Sequence, residues 1–127
     1  MSDTITLTGL VATTPRHVVT SEGLAITNFR LASTHKRYDS ARNVWLASGT
    51  NWYTITAFGQ LADNVIKSVE KGQQVIVYGI VRIRDWESGS HTGTNVEIDA
   101  QSIGHDLACG NATFTRGAAV QKETVTA

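Results

Sequence analysis

The chain has 127 residues, 41% of them hydrophobic and 17% charged, which predicts a single globular core. Its one cysteine, Cys109, excludes an internal disulfide and a cysteine-based zinc cluster; Met1-Ser2-Asp3 opens no basic leader, and no stretch approaches the ~20 apolar residues of a membrane span, so a protein of the reducing cytoplasm with no membrane partner is expected. Eleven Lys and Arg balance eleven Asp and Glu, which excludes a polyanion binder that works through total charge and leaves only its distribution.

That distribution is uneven. Arg30, Lys36, Arg37 and Arg42 accompany the single acid Asp39, and Arg82 and Arg84 form a second basic group. Glu97, Asp99 and Asp106 cluster late in the chain, so the fold is expected to present one basic face away from them.

In chain order, Ile5, Leu7 and Val11 alternate with Thr6 and Thr8 and predict a first strand. Thr13 to Pro15 and Ser21 to Gly23 are turns, because Pro15 fixes its own φ and Gly23 accepts a positive one. Leu24 to Thr34 is a second strand, with Ala25, Thr27, Phe29 and Leu31 on one face and Ile26, Asn28, Arg30 and Ala32 on the other. Lys36 to Asn51 loses steady periodicity and predicts a long loop. Asn51 to Gly59 is a third strand, with Trp52, Thr54, Thr56 and Phe58 opposite Tyr53, Ile55 and Ala57.

The period then changes. Leu61, Val65 and Val69 recur every four residues through Gln60 to Lys71, and Gly72 follows as a stop, which predicts a short amphipathic helix. Alternation returns in Gln74 to Trp86, where Val75, Val77, Gly79, Val81 and Ile83 oppose Ile76, Tyr78, Ile80, Arg82, Arg84 and Trp86. After a turn at Glu87 to Gly93, Thr94 to Ala100 is a fifth strand, Val96 and Ile98 inward, Glu97 and Asp99 outward. Five strands with one short helix between the third and fourth is the order of an all-β OB-fold barrel. Residues 1–107 form that domain, and the small, polar, aperiodic residues 108–127 are expected to be a flexible tail.

A face that carries Trp52 and Phe58 beside two threonines cannot be a filled core if Ile55 and Ala57 point inward. Base stacking explains such a face, since every nucleobase offers a π surface; a second sheet layer or a subunit contact explains it equally from periodicity alone. Arg82, Arg84 and Trp86 repeat the pattern and suit phosphate contacts beside a stacking ring, or else a solvated strand end whose arginine stems cover apolar surface. Lys36, Arg37 and Tyr38 open the predicted loop and are placed to reach a nucleic-acid strand or simply to be solvated, and Trp45 must fold back on the sheet or meet a base.

Chemistry finds no footing. His17, His35, His91 and His105 have no metal-ligand spacing, Asp63, Glu70, Asp85 and Glu87 sit in no acid/base motif, and Gly72-Gln73-Gln74 lacks the spaced glycines and lysine of a phosphate loop. No catalytic residue, metal or cofactor is expected.

Asn28-Phe29-Arg30-Leu31-Ala32-Ser33-Thr34, Trp52 through Phe58-Gly59-Gln60-Leu61-Ala62, Lys71-Gly72-Gln73-Gln74-Val75, and Gly79 with Arg82, Arg84 and Trp86 together resemble the bacterial single-stranded DNA-binding proteins, especially their actinobacterial members, over Thr4 to Leu107. The resemblance implies an OB-fold homotetramer, a dimer of dimers, that wraps single-stranded DNA without sequence preference in replication, recombination and repair, in association with the nucleoid. Carried over by position, Trp52, Phe58 and Trp86 match the stacking aromatics, and Arg37 or Tyr38 falls where a further one lies. Phosphate contacts are expected from Arg30, Lys36, Arg37, Arg82 and Arg84.

Two departures stand out. Gly9-Leu10-Val11 and Thr14-Pro15-Arg16 replace the family's usual residues around the first strand and its turn. Gln121-Lys122-Glu123-Thr124-Val125-Thr126-Ala127 carries no Gly/Pro-rich linker with an acidic tip, which suggests a shortened paralogue or trimmed chain and withholds the recruitment of repair enzymes. The rival expectation is a protein-interaction module of a replication-restart complex, in which the aromatic face meets a protein.

Overall fold

The computed structural model describes residues 2–117, in the order β1 (Thr4–Val11), β2 (Arg16–Val19), β3 (Ala25–Asp39), β4 (Val44–Phe58), α1 (Gln60–Ser68), β5 (Gln74–Ser88) and β6 (His91–His105). Five of the six strands close a ring. β1 pairs with β5, β5 with β6, β6 runs parallel to β4, β4 pairs with β3, and β3 returns to β1 through Leu10↔Ala32 and Val11↔Leu31. These five are the predicted barrel strands. β2 is an addition that pairs only with Ala25–Asn28 of β3, so the helix lies between the fourth and fifth strands of the chain while still between the third and fourth of the ring.

Period-2 alternation decides what is inside. Val11, Leu31, Ile55, Val75, Val77 and Ile98 are fully buried, each an inward position of a ring strand. The inner face predicted for β5 reaches only to Val81; Ile83 lies past the barrel and is exposed. α1 seals one end with Ala62 and Val65, while Leu61 packs at the margin.

The helix is shorter than predicted. It stops at Ser68, and Val69 continues in extended conformation (φ −102°, ψ 130°) with its side chain in the core. Gly72 is therefore not a helix cap. It sits at φ 93° in the turn closed by Gln73 N–H donating to the Glu70 carbonyl at 3.2 Å, and its own N–H reaches the Val11 carbonyl at 2.8 Å.

The predicted loop from Lys36 to Asn51 is instead a two-stranded arm. β3 and β4 stay paired out to Asp39↔Val44, and Asp39 Oδ1 accepts from the Ala41 and Arg42 backbone N–H groups at the turn. Both faces of the arm are wet, so it carries no apolar alternation; the backbone ladder holds it. β5 and β6 likewise pair out to Ser88↔His91, so the turn is tighter than Glu87 to Gly93, with Gly89 at φ 64°.

Among the described residues one polar side chain is buried in the core, and it is satisfied. Thr27, 0% exposed, donates its hydroxyl to the Ala62 carbonyl at 2.8 Å and so ties the helix to β3. Its oxygen is then left to accept from His17 Nδ1 at 2.7 Å, which assigns the ring proton to Nδ1.

Among the described residues no regular element follows His105. Residues 107–116 are exposed, Phe114 at 80%, and the part of the expected flexible tail from 118 to 127 lies outside the described residues. No helix among the described residues is long and apolar enough to cross a membrane, and no group of three His, Cys, Asp or Glu converges there as a metal site.

Ring closure brings backbones close. A Cβ on Gly9 would sit 2.7 Å from the Ala32 carbonyl oxygen, and one on Gly79 would sit 2.3 Å from the Asp99 carbonyl oxygen. Gly9→Ala is expected to lower the unfolding free energy by about 1–3 kcal/mol and Gly79→Ala by more, both read by urea denaturation, because backbone cannot step aside as a side-chain tip can.

Candidate nucleic-acid interface

Cross-strand register assembles one continuous outer wall from β3, β4, β6 and β5. Arg30 pairs with Thr54, Thr54 with Glu97, and Glu97 with Arg82, which makes one row of side chains across four strands. A second row runs Asn28, Thr56, Asp99 and Ile80. Trp52 stands beyond the first row on β4, Phe58 beyond the second, and Trp86 further out on β5, opposite Gly93 of β6.

The aromatic rings of this wall are open. Trp52 is 51% exposed, and Phe58 and Trp86 are each 43% exposed, so none of the three belongs to the hydrophobic interior. Trp52 and Phe58 are six residues apart on one strand, roughly 20 Å, which leaves room for several nucleotides between them. Arg30 connects charge to stacking: its Nη1 donates to Thr54 Oγ1 at 2.9 Å and its Cζ lies 5.9 Å from the Trp52 ring centroid, within cation–π range.

The arm extends the wall. Period 2 along β3 carries Arg30, Ala32, Thr34, Lys36 and Tyr38 on one face, whereas Arg37, paired with Leu46, is on the other. On β4, Trp45 and Trp52 are seven apart and plain alternation would oppose them. The register shift between His35 and Lys36 leaves Ser48 without a partner, with Gly49 at φ 133° beside it, and this bulge returns Trp45 to the Trp52 side. Trp45, 67% exposed, meets Tyr38 edge-to-face at 5.4 Å between centroids. The structure thus gathers Trp52, Phe58, Trp86, Arg30, Lys36, Tyr38, Trp45, Arg82 and Arg84 on one side and sets Arg37 on the far face of the arm.

The expectation of a basic face away from the late acids does not hold. Glu97 and Asp99 stand on this same wall, because β6 is inserted between β4 and β5. Arg84 Nε meets Glu97 Oε1 at 3.1 Å, and Arg82 Nε meets Asp99 Oδ2. Arg30, Lys36 and Arg37 form no ion pair among the described residues, so their charge is uncompensated. Open concavities lie elsewhere: one of about 430 Å³ is lined by Leu10, Gln73, Gln74, His105, Asp106 and Cys109, beneath the chain that follows β6. A stacking surface needs no such cavity, since rings bind flat ligands by their faces.

Gly93 is a member of the wall that sequence reasoning missed. The Trp86 indole lies directly over it, and a Cβ there would come within 2.3 Å of Trp86 Cζ2. The signal was present, since the tight turn at Gly89 brings residue 86 opposite residue 93 by simple counting once the turn is known.

A model of the single-strand binding protein family matches residues 2–106. The chain is 45% identical over 112 residues to single-stranded DNA-binding protein 2 of Tropheryma whipplei (strain Twist), covering 88% of this chain and 74% of that protein. It is 39% identical over 116 residues to single-stranded DNA-binding protein 1 of Streptomyces coelicolor, covering 91% and 74%. Among solved structures, the small single-stranded DNA-binding protein from Streptomyces coelicolor is similar with a TM-score of 0.78 and 37% identity, over 87% of this chain and 98% of that one. The second single-stranded DNA-binding protein of Mycobacterium smegmatis shares the fold with a TM-score of 0.72 at 24% identity, over 91% and 100%.

The Trp86–Gly93 stack is testable without a ligand. In a Trp45→Phe, Trp52→Phe background, Gly93→Val is expected to lift the Trp86 ring off β6, seen as red-shifted emission and easier quenching by acrylamide.

Proposed function

The chain belongs to the single-strand binding protein family, and from that premise we propose that the wall of Trp52, Phe58 and Trp86 is where it holds single-stranded DNA. The family binds and does not catalyse. The observation that carries the placement is that three large rings lie exposed on one side of a closed barrel whose interior is already full. Bases stack on these rings, with Tyr38 and Trp45 extending the track along the arm. Phosphates meet Arg30 and Lys36 first, because neither is paired, and then Arg82 and Arg84. Arg37 serves a strand that wraps round the arm to its other face. Binding is independent of sequence, as stacking and phosphate contact both are, and it suits replication, recombination or repair.

The active form in this reading is a homotetramer, built as a dimer of dimers. One edge of β1 over Thr4–Gly9 has no strand beside it among the described residues, and neighbouring Leu10, Ile76 and Tyr78 are exposed. An uncovered strand edge next to apolar surface favours self-pairing. Residues 1–107 suffice for both assembly and binding, since the wall and the β1 edge lie wholly within them. Action on nucleoid DNA in the cytoplasm completes the proposal, and the single free Cys109 suits a reducing setting.

Titration with poly(dT) is expected to quench tryptophan emission, and Trp52→Ala with Trp86→Ala to weaken binding by about 1–3 kcal/mol for each lost stack. Emission that ignores poly(dT) would overturn the reading and leave the aromatic wall to a protein partner. Light scattering of the full chain and of a chain ending at Leu107 is expected to give four-subunit masses for both, with matching poly(dT) affinities.

A further inference from the structure

We propose that Glu97 and Asp99 are specificity-determining residues: on a wall that takes single-stranded DNA, they occupy Arg82 and Arg84 as intramolecular stand-ins for phosphate, so that only a ligand with bases to stack displaces them. The proposal rests on the placement of DNA on this wall.

Position is the first ground. β6 lies between β4 and β5, and its outward side chains over this stretch are Glu97 and Asp99. A strand of DNA that runs from Phe58 on β4 to Trp86 on β5 crosses β6 diagonally past these two carboxylates, and one that runs from Trp52 to Trp86 crosses near Asn95 and Gly93, with Glu97 the next outward side chain along β6. A surface evolved for polyanions through charge alone would not put acids at the centre of the path.

Geometry is the second. Each acid is bonded to an arginine diagonally across the β5–β6 ladder, Arg82 to Asp99 and Arg84 to Glu97. The arginine side chains are 55% and 66% exposed, against 26% for each acid. The acids are short and held close to the sheet, while the guanidinium groups are free to swing outward. At this exposure an ion pair is weak enough to be exchanged for another anion.

Exchange has a thermodynamic consequence. A phosphate that takes Arg82 or Arg84 leaves a bare carboxylate beside the DNA backbone, which repels it and attracts a cation from solution. That cation uptake offsets the counterions released from DNA, so both the affinity and its salt dependence are held down. Stacking on Trp52, Phe58 and Trp86 makes up the difference for a single strand. A polyanion without accessible bases gains no such compensation and is rejected.

The test uses the full chain and its Glu97→Gln, Asp99→Asn double variant, both near-isosteric changes, with melting temperature and assembly mass confirming an intact fold. Poly(dT) affinity is measured by tryptophan quenching over a sodium chloride series, and inorganic polyphosphate serves as the base-free competitor. The double variant is expected to bind poly(dT) about 3-fold to 10-fold more tightly at low salt, with a log–log salt slope steeper by up to about 1.4 for two added phosphate contacts. Polyphosphate is expected to gain more than poly(dT) does.

Adding Arg82→Gln and Arg84→Gln to the double variant should abolish the gain; a gain that survives their loss would make it a general charge effect and overturn the proposal. An unchanged or weaker poly(dT) affinity with an unchanged slope would overturn it too. Binding indifferent to Trp52→Ala and Trp86→Ala would instead overturn the placement of DNA on the wall, whereas tryptophan-dependent binding indifferent to the carboxylates overturns this proposal alone.

Discussion

β1 meets β3 at only two residue pairs, Leu10↔Ala32 and Val11↔Leu31, where Gly9 allows the two backbones to approach. That narrow contact turns a sheet into a ring, and a ring of five strands has one inside. Alternation then leaves each strand no choice: Leu31, Ile55, Val77 and Ile98 fill the interior, and whatever stands between them in sequence faces out. Trp52, Phe58 and Trp86 are on the surface because the inside is taken. α1 reinforces the arrangement by closing one end, held to β3 by the Thr27 hydroxyl and by Ala62 and Val65 in the core.

In the proposed placement of DNA, the outer wall combines two kinds of attraction that scale differently. Stacking is local, depends on ring exposure and is little affected by salt, whereas phosphate contact is long-ranged and salt-dependent. In many nucleic-acid binders the second is supplied by a basic excess, and here it is not: the chain is neutral, and two of the wall's arginines already face carboxylates. Arg30 is the exception, unpaired and lying against Trp52, so charge and stacking meet at one position near the middle of β4.

Length is gained through the two arms. β3–β4 and β5–β6 continue well past the barrel, and each carries aromatic side chains on the wall side: Tyr38 and Trp45 on one, Trp86 on the other. The bulge at Ser48 and Gly49 matters because a one-residue shift exchanges the faces of everything beyond it. Without it Trp45 would point away from Trp52. Both arms depend on backbone ladders and cross-strand contacts, so side chains on both of their faces are open to solvent, whereas each barrel strand offers only its outer face.

Five ring strands, their inward faces, the helix between β4 and β5 and the outward set Trp52, Phe58, Trp86, Arg82 and Arg84 were legible in the sequence, because a half-buried strand writes its two faces as alternation and family motifs mark the rest. The arm over Lys36–Asn51 and the short β2 were not, since a strand wet on both faces has no apolar period to read. The helix end was misplaced because Val69 keeps the four-residue spacing while its backbone has already become extended. Tertiary structure alone decided that Glu97 and Asp99 stand on the same wall as Arg30 and Trp52: the β5–β6 hairpin sets these acids against Arg82 and Arg84, but only the parallel pairing of β6 with β4 lays them beside Thr54 and Thr56, since strand order in a sheet is set by long-range pairing that no local pattern records.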